Sequence, residues 1–181
     1  MLYNGPSEYE FLNYIRSTGT QYIDTQFKPN GNTKIRSKLY LNGPYSAYGA
    51  GRGYTNLTSN STSSYLYYDG YSENGGQGAS SNIQNLYGGG LSTGVITQDK
   101  HTWHYDDNNS SGSFSYNANY TAPGNLFLFG RNDGAGNLDD AGGEVTIYWF
   151  EIYDNGTLIR NFIPARRKSD STLGLYDTIN N

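Results

Sequence analysis

The large apolar side chains of this chain are mostly aromatic rather than aliphatic, and this feature constrains its fold most strongly. Leu, Ile, Val and Phe make up only 33 of the 181 residues, which is below the roughly 20% expected of a folded chain. The sequence nevertheless holds 19 Tyr, 7 Phe and 2 Trp, and each ring can bury on the order of 150–250 Å². Disorder would also require a high net charge, whereas the net charge is only −4. We therefore expect a folded chain in which Tyr and Phe build much of the interior.

Turn-forming residues dominate the rest of the composition. Gly alone contributes 24 residues, and Asn, Ser and Thr are also frequent, as is typical of turns and half-exposed sheet faces. No window repeats apolar residues at the 3.6-residue period of a helix over three turns. An all-helical protein is therefore excluded. The length fits one domain, which we place at residues 11–181 after an N-terminal extension over residues 1–10.

Alternation between buried-type and charged side chains is clearest over residues 34–41. Such alternation is typical of a strand with one wet face and one buried face. The predicted inner set is Ile35, Ser37, Leu39 and Leu41, and the predicted outer set is Lys34, Arg36, Lys38 and Tyr40.

A β-hairpin is predicted near the C-terminus, because Asn155-Gly156 accepts the positive φ values of a tight turn. It joins a nearly continuous apolar strand over 145–153 to a strand over 157–163 that Pro164 ends, and Trp149 and Phe150 are assigned to the core. Residues 88–94 and 106–112 are interpreted as loops. The other predicted strands are 11–16, 21–25, 65–68, 83–87, 100–105, 113–118, 125–131 and 173–176. About ten short strands without a helix predict an all-β, two-sheet antiparallel β-sandwich of the jelly-roll type.

Both ends of the chain resemble one family. The matching segments are YIRSTGTQYIDT (14–25) with Pro29 and Thr33 after it, IYDNGTLIR (152–160), FIPARRKSD (162–170) and GLYD (174–177). They resemble the concanavalin A-like (laminin-G-like) jelly-roll domains of gut-bacterial surface proteins and phage virion proteins. The resemblance covers roughly a third of the chain and brackets the domain. It implies a Gly where this chain has Gln26. It also implies a further strand after Tyr176-Asp177, which is either missing here or supplied by a neighbouring chain, as in a homo-oligomer.

Charge and cysteine content narrow the function classes. The chain has no Cys, so thiol catalysis and Cys-ligated metals are excluded. The cations do not exceed the anions, which argues against nucleic acid as a partner. The basic run around Arg166, Arg167 and Lys168 is interpreted as a solvated or salt-bridged edge, with Asp170 and Asp177 close by in sequence. No apolar run is long enough for a membrane span, and the first residues do not form a signal peptide.

The carboxylates do not form the pattern of a sandwich glycosidase. A retaining enzyme needs two carboxyl groups about 5–5.5 Å apart, whereas Glu144 and Glu151 would face opposite ways on a regular strand, more than about 20 Å apart. Asp139-Asp140 is interpreted as a turn pair. His101 and His104 would point to opposite faces of a strand and so would not share a metal. Glycoside hydrolysis stays open as an alternative.

A calcium site is a further candidate. The segment 133–140 gathers hard oxygen ligands of the kind that Ca²⁺ prefers. The ligands proposed for it are Asp133, Asn137, Asp139 and Asp140. Loops rich in Asn, Asp and Gly are also common without metal, so the site stays an alternative.

The frequent Tyr and Asn residues suit sugar binding. Sugar C–H faces pack on rings, and sugar hydroxyls need paired donors and acceptors. The candidates for such a platform lie among polar loops: Tyr67, Tyr68, Tyr71, Trp103, Tyr105 and Asp106. The same rings could instead belong to the core.

These observations predict a non-enzymatic carbohydrate-binding or adhesion module. It would be extracellular, on a phage virion or a bacterial cell surface, and would bind a glycan on a cell surface or in mucus. The alternative from another class is a structural capsid or fibre decoration that contacts other virion subunits.

Overall fold

A computed structural model gives the structure of the chain. It describes residues 5–41, 48–50, 93–100, 102–106, 110–113, 119, 121–122, 124–132, 134–141 and 144–180. Within these ranges the chain is all-β and contains no helix. No helix there is long and apolar enough to cross a membrane.

Fourteen strands are present in the described ranges. They are β1 (Tyr9–Phe11), β2 (Ile15–Arg16), β3 (Ile23–Asp24), β4 (Thr33–Leu41), β5 (Tyr48–Ala50), β6 (Thr93–Asp99), β7 (Thr102–Tyr105), β8 (Ser110–Ser113), β9 (Phe127–Leu128), β10 (Gly130–Asn132), β11 (Leu138–Ala141), β12 (Val145–Asp154), β13 (Thr157–Arg167) and β14 (Leu173–Asp177).

The larger sheet has nine strands, ordered β1-β13-β12-β4-β6-β7-β8, with β14 paired to β13 and β2 paired to β12. Its strand pairs are antiparallel. On β4 the alternation predicted from the sequence is confirmed: Ile35, Ser37 and Leu39 are fully buried, while Lys34 and Arg36 are half-exposed. The side chain of Leu41 lies outside the described part.

The predicted hairpin is confirmed. β12 pairs with β13 up to Asp154 and Thr157, and Asn155 and Gly156 between them have φ values of 48° and 81°. Two consecutive positive φ values are those of the turn that follows the natural twist of a hairpin. Phe150 is fully buried, as predicted.

The smaller sheet has five strands, ordered β11-β10-β5-β9-β3. Its pairs are antiparallel except β5 with β10, which is parallel; the sequence predicted only antiparallel pairs. One cluster of buried side chains joins the two sheets, since Ile35, Phe150 and Ile152 of the larger sheet belong to it together with Leu128 of the smaller one. Two sheets around a shared core are consistent with a β-sandwich.

Phe and aliphatic side chains, rather than Tyr, fill this core. Phe127, Phe129, Phe150 and Phe162 are buried, and Tyr176 is the single buried Tyr among the described side chains. The expectation that Tyr builds much of the interior is therefore wrong for this part of the chain. A phenol hydroxyl needs a hydrogen-bond partner when it is buried, and a half-exposed sheet face meets that need more readily.

The N-terminal segment pairs with β12 and β13 in the region where these two long strands separate from each other. β1 pairs with the last residues of β13, and β2 pairs with Thr146 and Ile147 of β12, on the edge where β12 and β13 have separated. β1 begins at Tyr9, within the segment that the sequence assigned to an N-terminal extension.

Pro164 does not end β13, which continues to Arg167. A strand residue directs its N and its carbonyl oxygen to the same edge, and the carbonyl of Pro164 accepts a hydrogen bond from the backbone N–H of Leu12 at 2.9 Å. The N atom of Pro164, which carries no hydrogen, therefore points to the edge of β13 that faces β1 rather than to the edge that faces β14. The hydrogen bonds between β13 and β14 are therefore preserved.

Two further strands differ from the prediction. β6 begins at Thr93, although residues 88–94 were interpreted as a loop. β8 begins at Ser110 within the predicted loop 106–112. Predicted strands 65–68 and 83–87 lie outside the described residues.

The backbone of Gln26 has φ 54°, in the left-handed region that favours glycine. Its N–H donates to Oδ1 of Asp24 at 2.8 Å, which fixes the turn. This is the position at which the resemblance implies a Gly.

Candidate functional site

A β-bulge in β12 turns two neighbouring rings to the same face of the larger sheet. The pairing of β12 with β4 shifts between Ile147 and Trp149. Ile147 and Phe150 are fully buried on either side, and Tyr148 and Trp149 between them are half-exposed. A bulge places an extra residue against one partner residue and so redirects a side chain. Trp149, which the sequence assigned to the core, therefore lies on the outer face.

Cations of β4 cover the rings of β12. The guanidinium carbon of Arg36 lies 5.5 Å from the centre of the Trp149 ring, and the Nζ atom of Lys38 lies 5.2 Å from the centre of the Tyr148 ring. The Nζ atom of Lys34 lies 5.8 Å from the ring of Tyr153. These distances are within the roughly 6 Å of a cation–π contact.

Carboxylates fix two of these cations. Arg36 donates to Oε2 of Glu151 at 3.1 Å, and Lys34 pairs with Asp99 of β6 at 3.3 Å. We call the surface formed by Lys34, Arg36, Lys38, Tyr148, Trp149, Glu151 and Tyr153 the aromatic–cation face. All seven side chains are half-exposed.

Tyr153 and Glu151 are coupled on this face. The Tyr153 hydroxyl donates to Oε2 of Glu151 at 2.9 Å. Burial, and next the hydrogen bond to the Glu151 carboxylate, raises the pKa of the Tyr153 phenol above its usual value. The phenol is therefore held as a hydrogen-bond donor, which suits binding rather than nucleophilic attack.

The predicted platform residues on β7 lie in the same sheet. Trp103 pairs with Gln98 and Tyr105 with Ile96, both of which are buried; the side chains of Trp103 and Tyr105 lie outside the described part. Asp106 is exposed, and its Oδ1 atom lies 3.1 Å from Nε2 of His104.

His104 connects this pair to the aromatic–cation face. It is paired with Thr97, which is itself paired with Arg36, and residues opposite one another in neighbouring strands share a sheet face. Asp106 is therefore the predicted site residue that the described structure brings towards this face. Tyr67, Tyr68, Tyr71 and His101 lie outside the described residues.

The calcium candidates are only partly described. Asp133 lies outside the described residues, and the side chains of Asp139 and Asp140 also do. Their backbone belongs to β11, which begins at Leu138, so the predicted loop 133–140 ends in a strand. Asn137 is exposed. In the described part of the chain no three His, Cys, Asp or Glu side chains gather as a metal site.

The two candidate acids are each engaged by a different arginine. Glu144 pairs with Arg16 of β2, and Glu151 pairs with Arg36 of β4. The bulge at Tyr148 also breaks the regular alternation between them, so the premise of a regular strand does not hold over 144–151.

A concave surface, separate from the aromatic–cation face, lies where β13 and β14 meet β1. It has a volume of about 310 Å³ and is lined by Tyr9, Arg167, Thr172, Leu173, Tyr176 and Asp177 among others. The ring centres of Tyr9 and Tyr176 are 5.1 Å apart. Of the two interpretations of the basic run, the salt-bridged one holds for its arginines: Arg167 pairs with Asp170 at 2.5 Å, Arg160 with Asp177 at 3.5 Å and Arg166 with Glu10 at 2.5 Å.

The sequence did not identify the rings of the aromatic–cation face. A continuous apolar run over 145–153 fits a strand buried on both faces equally well. The available signal was the neighbouring strand, because three cations in alternate positions on β4 need partners, and rings and carboxylates of an adjacent strand supply them. Comparisons of the chain with known protein families, with curated protein sequences and with solved structures gave no match.

Proposed function

We propose that this chain is a non-enzymatic carbohydrate-binding or adhesion module with a concanavalin A-like jelly-roll fold, and that it docks glycans on the aromatic–cation face. The observation that carries the proposal is the pair of outward rings, Tyr148 and Trp149, which a bulge places side by side as half-exposed side chains on one sheet face. Sugar C–H faces pack on such rings.

Fixed polar groups beside the rings suit sugar hydroxyls. Arg36 presents several N–H donors in one plane, and Glu151 supplies carboxylate oxygens that accept. The ion pair between them at 3.1 Å holds both side chains in place before a ligand arrives, which reduces the entropy cost of binding. The rings are fixed in the same way by the cations above them.

Recognition by half-exposed side chains on a sheet face predicts shallow binding and weak affinity for each site. Display of many copies raises the effective affinity, which fits a module on a phage virion or on the surface of a gut bacterium. The proposed partner is a glycan on a cell surface or in mucus. The proposal needs no cofactor. Whether binding depends on calcium at Asn137 and its neighbours is tested by adding a chelator.

The experiment is a glycan array probed with the chain at high density. Binding to a defined set of glycans supports the proposal, and persistence of that binding in a chelator shows that calcium is not needed. Absence of binding at every density contradicts it. Incubation with the bound polysaccharide tests the hydrolase alternative, because release of reducing ends would contradict a non-enzymatic role.

A structural role in a virion or fibre is the second candidate, and the edge of the larger sheet favours it. In the described part of the chain β14 pairs only with β13. Leu173 is 61% exposed and Ile179 is 46% exposed. An unpaired edge with exposed apolar side chains can add a strand from another subunit. A change of assembly size on Leu173→Glu, measured by light scattering, would favour this role, and a monomeric wild-type chain would count against it.

A further inference from the structure

The three cations of β4 do not have the same partners. Lys34 is neutralised by Asp99 at 3.3 Å and Arg36 by Glu151 at 3.1 Å. Lys38 has no carboxylate partner within the described ranges, and its Nζ atom lies 5.2 Å from the centre of the Tyr148 ring. Among the described residues, Lys38 is therefore the cation of this face that no carboxylate pairs with, and it lies directly beside the Tyr148 ring.

Two tyrosines border this charge. The ring centres of Tyr14 and Tyr148 are 6.0 Å apart, because β2 runs beside β12 at Thr146 and Ile147. Tyr14 is 54% exposed. A ligand that reaches Lys38 thus meets two ring faces and one ammonium group within the same small area.

From this arrangement we infer that the aromatic–cation face selects glycans that carry carboxylate groups, with Lys38 as the residue that pairs with the sugar carboxylate. This inference rests on the proposed function and names its ligand class. A uronic acid offers both required parts in one ring: C–H groups that pack on Tyr148, and a carboxylate that accepts from the Lys38 ammonium. A neutral sugar would use the rings but leave the charge without a partner.

Charge complementarity favours this occupant over a neutral one. Glu151 and Asp99 each hold another cation of β4, so these two carboxylates do not compete with a ligand for Lys38. Binding of an acidic glycan should therefore weaken with salt, because exposed charges are screened.

The test compares polygalacturonate with the same polymer after methyl esterification, which keeps the ring and removes the charge. We expect the wild-type chain to bind the acid polymer more tightly than the ester. Lys38→Gln should lose roughly tenfold in affinity for the acid polymer and bind the ester unchanged. Lys38→Arg should keep the preference, and so should Lys28→Gln, which removes one exposed cation elsewhere. Thermal unfolding of each variant verifies that it is folded.

The outcomes separate the two proposals. Equal binding of acid and ester, or an unchanged affinity after Lys38→Gln, overturns the inference about carboxylates and leaves glycan binding standing. Absence of binding to these polymers and to every glycan of the array overturns both.

Discussion

The phenol oxygen of Tyr153 lies 2.9 Å from Oε2 of Glu151, two residues away on the same strand, and donates a hydrogen bond to it. The same carboxylate oxygen accepts from Arg36 at 3.1 Å. One carboxylate thus orders a ring of β12 and a cation of β4, which makes it the centre of the aromatic–cation face.

This hydrogen bond predicts a loss of stability in alkali. Burial and Glu151 raise the pKa of Tyr153 above its ordinary value of 10.0. The contribution of the protonated Tyr153 phenol to the free energy of unfolding is therefore complete below pH 10. It is lost as the pH rises through the higher pKa of the folded state. Tyr153→Phe should be less stable than wild type by about 1 kcal/mol at pH 8, and the difference should shrink above pH 10. Urea unfolding from pH 8 to 11 measures it, and a difference that stays constant with pH would contradict the assignment.

Trp149→Ala should remove glycan binding without unfolding the chain. Truncating a central Trp of a binding surface costs about 2 kcal/mol, or roughly thirtyfold in affinity. Tyr22→Ala is the matched control, because Tyr22 is 45% exposed and stacks on Phe127 of the smaller sheet, away from this face. Titration with the best glycan of the array provides the measurement. Equal losses in the two variants would place the binding surface elsewhere.

Asp170 predicts a loss of stability in acid. Its carboxylate accepts from Nε of Arg167 at 3.0 Å and from the backbone N–H of Thr172 at 3.1 Å. The hydrogen bond from Arg167 is the main cause that holds the pKa of Asp170 well below its usual range. The stabilisation is therefore present above the unfolded-state pKa near 3.8 and is lost as the pH falls below it.

Asp170→Asn tests this directly, because the amide oxygen can still accept from Thr172 while the charge is removed. The variant should be less stable than wild type at pH 7, and the two should converge below about pH 4. Ser169→Ala changes an exposed neighbour and should give a difference that does not depend on pH. Thermal unfolding across this range is the measurement, and parallel curves for Asp170→Asn and wild type would rule out the ion pair as a source of stability.

Where one face of a strand is charged and the other apolar, the sequence predicted the structure well. On β4 a shift of one residue would bury Lys34 and Arg36 and expose Ile35, so the energetic cost fixes both strand and orientation. β6 was missed because its buried residues include Gln98, which is fully buried, and because Gly94 suggested a loop. Composition does not distinguish such a strand from a polar loop.

The candidate site was harder to predict for a physical reason. A bulge adds one residue to a strand without a composition of its own, and Tyr148 and Trp149 would suit a buried or an exposed position equally. Which face they occupy depends on the pairing with β4, and that pairing is a long-range property. The Asn155-Gly156 hairpin, by contrast, is a local property, and it was predicted correctly.

Gly156 of that hairpin and Gly174 of β14 provide a matched pair of substitutions. Gly156 has φ 81° and Gly174 lies in β14 without a positive φ, and a Cβ added at either position meets nothing within 4 Å. Any difference between Gly156→Ala and Gly174→Ala therefore reflects backbone conformation rather than crowding.

An L-residue in the left-handed region costs roughly 1–2 kcal/mol, part of which is offset because Ala restricts the unfolded chain. We expect Gly156→Ala to lower the free energy of unfolding by about 1 kcal/mol, and Gly174→Ala to leave it unchanged or raise it by up to about 1 kcal/mol. Urea unfolding of both variants decides the matter: equal effects would mean that the turn between β12 and β13 does not depend on the positive φ of Gly156, and that the long central hairpin is aligned by strand pairing alone.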